Sequence, residues 1–117
     1  MRTGTFSQIY GQFVFAVRNP QALIDPSWEN TLYRYFTGIV KNKGQLMFAI
    51  QGHWDHMHFL IAMSPDCVIS DLVRETKKAS TKFINEKSLT KGKFSWQEGY
   101  GAFSYSQSQI GKVMIIF

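Results

Sequence analysis

Between Gln45 and Met63, two apolar runs of strand length, Gln45 to Gly52 and His56 to Met63, are interrupted only by His53-Trp54-Asp55. A connection that short joins neighbouring antiparallel strands, so the stretch predicts a β-hairpin, and a hairpin needs a further layer to cover one of its faces. The flanking sequence supplies that layer. Upstream, Asp25 before Pro26 has the form of an N-cap followed by a first-turn proline. Trp28, Leu32, Tyr35, Phe36, Ile39 and Lys43 then recur at helical spacing until Gly44 closes the helix. Downstream, Ile69, Leu72, Val73, Thr76, Ser80, Phe83 and Ile84 repeat with the helical period.

Two more segments read as strands. Gly11 to Val17 is β-branched and aromatic and stops at the turn signal Arg18-Asn19-Pro20, and Gly101 to Ser106 is the best strand candidate within the aromatic segment Phe94 to Ser106. Ser106 or Ser108 would cap a final helix beginning near Gln109. The order strand, helix, strand, strand, helix, strand predicts an α+β sandwich of ferredoxin-like type, with two helices on one face of an antiparallel sheet. The 117 residues suffice for one domain, 1–117, and contain no repeat, low-complexity tract or linker.

Thirteen Lys and Arg against eight Asp and Glu give a net charge of +5, which points toward a polyanionic partner. The single cysteine, Cys67, excludes an intrachain disulfide and fits a reducing cytoplasm. No apolar run approaches the roughly 20 residues that cross a bilayer. Met1 to Thr5 lacks the apolar centre of a signal peptide, so a cytoplasmic protein without a membrane partner is expected.

The most informative local feature is His56-Met57-His58. Alternate residues of a strand face the same way, so the two imidazoles could share one metal ion, although ordinary strand histidines show the same spacing. Asp55 could orient one of the rings by accepting its free N–H. His53, by the same alternation, falls off this face and reads as a surface histidine. On the second helix Arg74, Lys77, Lys78 and Lys82 could contact phosphates or form a solvated face. Trp96, Tyr100, Phe103 and Tyr105 could stack on unpaired bases, with core packing expected for at least two of them.

Taken together, Tyr10 to Phe15, Asp55 to Ile61, Trp96 to Ser106 and the helix segment Ser70 to Glu75 with Lys77 resemble the single-tyrosine HUH-superfamily transposases. The closer likeness is to the insertion-sequence-two-hundred type and the related REP-associated transposases. The stretches occur in the family's order and cover nearly the whole chain. The resemblance implies DNA transposition: a homodimer that recognises hairpins in single-stranded DNA and cuts the strand through a covalent 5′-phosphotyrosine. It also implies that His56 and His58 bind Mg²⁺ or Mn²⁺; two nitrogen ligands suit manganese better than magnesium.

The departures bear on activity. The family's nucleophile position falls on Ile116, which cannot attack a phosphate, and the glutamine expected one turn later would lie past Phe117. Gln12 stands where the family's first strand carries a histidine. The apolar tail Ile115-Ile116-Phe117 is what a frame change would make of Asn-Tyr-Ile-Leu codons, and a catalytic helix truncated in this way is expected. The chain therefore reads as a transposase-type DNA-binding protein without its nucleophile. Tyr100 or Tyr105 as a substitute nucleophile, and a non-catalytic RNA- or single-strand-binding module, are the alternatives.

Overall fold

The computed structural model describes residues 9–19 and 21–105, residues 103–105 by their backbone. Six elements follow one another: β1 (Ile9–Ala16), α1 (Pro26–Asn42), β2 (Leu46–Gly52), β3 (His56–Met63), α2 (Ile69–Glu86) and β4 (Gly101–Tyr105). The sheet order is β2-β3-β1-β4 and every pairing is antiparallel. The expected α+β sandwich of ferredoxin-like type is the fold found. The final helix expected near Gln109 lies outside the described residues.

Local chemistry sets the ends of α1. The Asp25 carboxylate accepts the Ser27 N–H at 2.8 Å, and Pro26 opens the first turn. At the other end Gly44 adopts φ +78, a left-handed conformation that a Cβ would disfavour. Its N–H bonds to Lys41 O while the Gln45 N–H bonds to Val40 O, satisfying carbonyls that the helix leaves open.

Strand alternation divides the sheet into two faces. Phe13, Phe15 and Val17 of the β1 segment and Met57, Phe59, Ile61 and Met63 of β3 point to the helix layer, where Trp28, Leu32, Phe36 and Val40 of α1 and Leu72, Val73 and Ile84 of α2 meet them. The core is largely aromatic: Phe59 lies 4.9 Å from Phe15 and 4.6 Å from Phe36, and Phe94 meets Trp96 edge-on at 4.8 Å. On the opposite face Tyr10, Leu60 and Ala62 form a smaller buried cluster.

The segment before β4 is pinned to α2 by side chains. Asn85 donates its amide to Phe94 O and accepts the Phe94 N–H, and the Trp96 indole N–H donates to Ser80 Oγ at 2.9 Å. Trp96 is therefore a core residue. That separates it from the proposed base-stacking set, because an indole held by a buried hydroxyl has no face left for a base.

Candidate metal and nucleic-acid site

The turn between β2 and β3 is two residues long, Trp54-Asp55, and the His53 N–H closes it on His56 O at 2.8 Å. Its tip is tied down from both sides. Asp55 O accepts the Val17 N–H at 2.8 Å, and Trp54 O accepts the Ile24 N–H at 2.9 Å. Below it, on the helix side, the Tyr33 hydroxyl accepts the Gly52 N–H and donates to Glu29 Oε1, both at 2.6 Å. Burial first, and the Glu29 carboxylate second, push the Tyr33 phenol up to about 12, so it stays protonated as the link between α1 and the hairpin.

His56 and His58 lie on the sheet face away from the helices, as strand alternation requires when Met57 and Phe59 enter the core. Their rings stand 4.9 Å apart. His56 Nδ1 is 2.7 Å from Asp55 Oδ1. A carboxylate only accepts, so Nδ1 is the donor in this contact, which leaves Nε2 as the nitrogen for a ligand role. Burial first, then the neighbouring His56 and His53, hold His58 below its usual protonation range, which favours the neutral ring near neutral pH.

His53 departs from the sequence reading. Its ring stacks on His56 at 4.4 Å and meets His58 edge-on at 5.7 Å, and ligand atoms of all three histidines lie within 4.8 Å of one another. Alternation along one strand misplaced it because the chain reverses at Trp54-Asp55. The two residues that flank a two-residue turn face each other across the hairpin and share a side of the sheet. The sequence reads the connection as three residues, His53-Trp54-Asp55; a two-residue turn at Trp54-Asp55 is what sets His53 opposite His56. Three imidazoles are a donor set that fits a divalent metal ion.

The cations distribute differently from the expectation. Lys77 donates to Gln97 O at 2.8 Å and to Gly99 O, and its ammonium lies 5.3 Å from the Phe15 ring centroid, so it holds the loop before β4. Burial lowers its pKa. Arg74, Lys78 and Lys82 are exposed and follow one another at i, i+4 spacing, with Arg74 2.7 Å from Asp71 and Lys82 3.9 Å from Glu86. This stripe belongs to the helix layer, across the sheet from the histidines. Arg18, a turn residue by sequence, is exposed and follows Val17, whose N–H bonds Asp55 O at the hairpin tip.

Among the aromatics, Trp54 is 63 % exposed at the hairpin tip, between His53 and Asp55. Tyr100 approaches Phe13 at 6.3 Å and the Lys77 ammonium at 6.0 Å, which places it on the helix side, away from the histidines. Tyr33 and Tyr35 are on that side too, the first bonded to Glu29 and the second stacked on Phe83 at 4.1 Å. Tyr105 pairs with Tyr10 in the backbone register, and the side chains of Phe103 and Tyr105 lie outside the described residues, as does Ile116.

One pH dependence follows from His58, whose pKa burial and the neighbouring histidines hold below the ordinary histidine value of about 6.5. The folded chain binds fewer protons than the unfolded chain just below that pH, so the metal-free protein should be most stable above it and lose stability as the pH falls through it. Urea midpoints measured from about pH 7.5 to 5.5 should decline, and less so in His58→Gln. Midpoints that stay level across that range would refute it.

A four-stranded antiparallel sheet with two helices on one face, and a histidine cluster on the other face beside a hairpin tip, defines a ferredoxin-like domain. The chain belongs to the IS200-like transposases: the family described as "Transposase IS200 like" matches residues 5–114. Among solved structures, a candidate transposase from Deinococcus radiodurans R1 superimposes with a TM-score of 0.76 at 20% identity, over 99% of this chain and 92% of that one. A REP-associated tyrosine transposase bound to a REP hairpin gives 0.69 at 16% identity, over 98% of this chain and 67% of that one. No curated protein matches the chain. Among the described residues no helix is long and apolar enough to cross a membrane.

Proposed function

We propose that this protein is a cytoplasmic, homodimeric transposase-type protein that binds single-stranded DNA carrying a hairpin, with His56 and His58 holding a divalent metal ion, and that this chain does not cleave the strand. The observation that carries the reading is the histidine pair on the sheet face away from the helices with Asp55 orienting His56. Family membership supports the DNA substrate. When bound, Mg²⁺ or Mn²⁺ at such a site polarises a phosphodiester oxygen and fixes its position.

The protein's own groups contribute binding. Trp54 offers an exposed indole face to an unpaired base next to the histidines, and Arg18 a nearby cation for phosphate. Arg74, Lys78 and Lys82 offer phosphate contacts on a second surface, where the duplex stem of a hairpin could lie. Exposed Leu46 and Phe48 on the edge strand β2 support association of two copies. Ile116 at the nucleophile position has no group able to attack phosphorus, which supports binding without cleavage.

Anisotropy titrations with a labelled hairpin-bearing DNA strand test the reading, with light scattering on the same samples for the dimer. Binding should weaken as salt rises, with the slope reduced by about 1 for each phosphate-contacting cation removed. Trp54→Ala should weaken binding by about 1–3 kcal/mol, roughly 5- to 150-fold. Trp28 and Trp96 are buried, so DNA should quench chiefly the Trp54 emission. Tighter binding to single-stranded RNA at matched salt would overturn the DNA assignment. A covalent adduct formed with Mn²⁺ and lost on Tyr100→Phe or Tyr105→Phe would overturn the absence of cleavage.

A further inference from the structure

We infer that His53 is a third protein ligand, making with His56 and His58 a three-histidine site that selects a zinc-class ion over Mg²⁺ and Mn²⁺. The inference rests on the metal-site reading above and changes both its ligand set and its preferred ion.

The geometry begins with the hairpin. The two-residue turn places His53 opposite His56, and His58 follows two residues along β3 on the same side, so the imidazoles approach from two strands. Nitrogens bound to one tetrahedral zinc ion stand roughly 3.3 Å apart. The three ligand atoms already lie within 4.8 Å of one another, and His53 is exposed, so its side chain has room to turn toward the other two. Asp55 fixes the His56 ring with Nε2 presented. The Tyr33 hydroxyl on Gly52 and the carbonyls of Trp54 and Asp55 hold both ends of the turn, so the ligand-bearing backbone is ordered before an ion arrives.

Ligand chemistry decides the ion. Mg²⁺ takes hard oxygen donors in an octahedron and surrenders water reluctantly, so a cluster of neutral nitrogens serves it poorly. Imidazole suits Zn²⁺, Ni²⁺ and Cu²⁺, and for a given nitrogen site affinity rises from Mn²⁺ toward the end of the first row. Three protein ligands leave a fourth zinc position for water or a phosphate oxygen.

The test titrates the full chain, stripped of metal, with Zn²⁺, Co²⁺, Mn²⁺ and Mg²⁺ in separate experiments, using a chromophoric chelator as competitor for zinc. One zinc ion per chain should bind on the order of 100-fold more tightly than Mn²⁺. Co²⁺ should give the intense visible bands of a tetrahedral nitrogen site. His53→Ala should weaken zinc binding at least about 10-fold and weaken those bands, with the metal-free melting temperature unchanged because the side chain is exposed. Equal zinc affinity in wild type and His53→Ala would overturn the third ligand, and zinc binding no tighter than Mn²⁺ would overturn the selectivity. Hairpin-DNA binding measured without metal is a separate readout, so the DNA assignment can fail while the zinc site stands, and the reverse.

Discussion

Phe59→Ala is expected to lower the unfolding free energy by about 3–5 kcal/mol, the usual cost of deleting a fully buried aromatic ring. Phe59 is 1 % exposed on β3, between β1 and β2, with Phe13 and Ile50 as cross-strand partners. Its ring contacts Phe15 and Phe36 at once, so truncation opens a cavity where sheet and helix meet. Domains of this size have only about 5–15 kcal/mol in total, so the loss should bring the unfolding midpoint close to ambient conditions. The effect reaches the site because His58 is the preceding residue: a strand that frays cannot hold an imidazole for a metal. Urea denaturation followed by circular dichroism measures the change. A loss below about 1 kcal/mol would mean that the ring is not the keystone of the core.

Gly52→Val should damage the metal site through the backbone, without touching a histidine. A Cβ at Gly52 would stand 2.7 Å from Glu29 Oε1, 2.7 Å from Met57 Sδ and 3.0 Å from the Tyr33 hydroxyl oxygen. Met57 is fully buried, and Tyr33 is held by two hydrogen bonds, so these neighbours cannot simply swing away. Overpacking of this kind costs about 1–3 kcal/mol, and relief by displacing the hairpin would carry His53 away from its partners. Both the melting temperature and the affinity for zinc or manganese should fall. Tyr33→Phe, which removes the hydrogen bonds and adds no bulk, should shift the same two quantities by less. A Gly52→Val protein with wild-type melting temperature and metal affinity would refute the close approach.

Much of the fold was legible because its signals are local. Asp25-Pro26 and Gly44 mark the ends of α1 by chemistry that acts within a few residues, and the helical period in α2 reports one buried stripe whatever it packs against. The strand containing His56 and His58 was equally plain, since alternation is a property of the extended chain itself. The aromatic segment was not. Trp96 reads the same whether it stacks on a base or fills a core, and only Ser80, distant in sequence, shows which.

The same division runs through the site. Covalent geometry made His56 and His58 neighbours before any folding, because two residues apart on one strand is a fixed relation. His53 joins them across a chain reversal, Lys77 is drawn to carbonyls twenty or more positions away, and the basic stripe of α2 ends up across the sheet from the histidines. Those three outcomes depend on how strands and helices close upon one another, and contacts between distant residues are decided only when the layers pack.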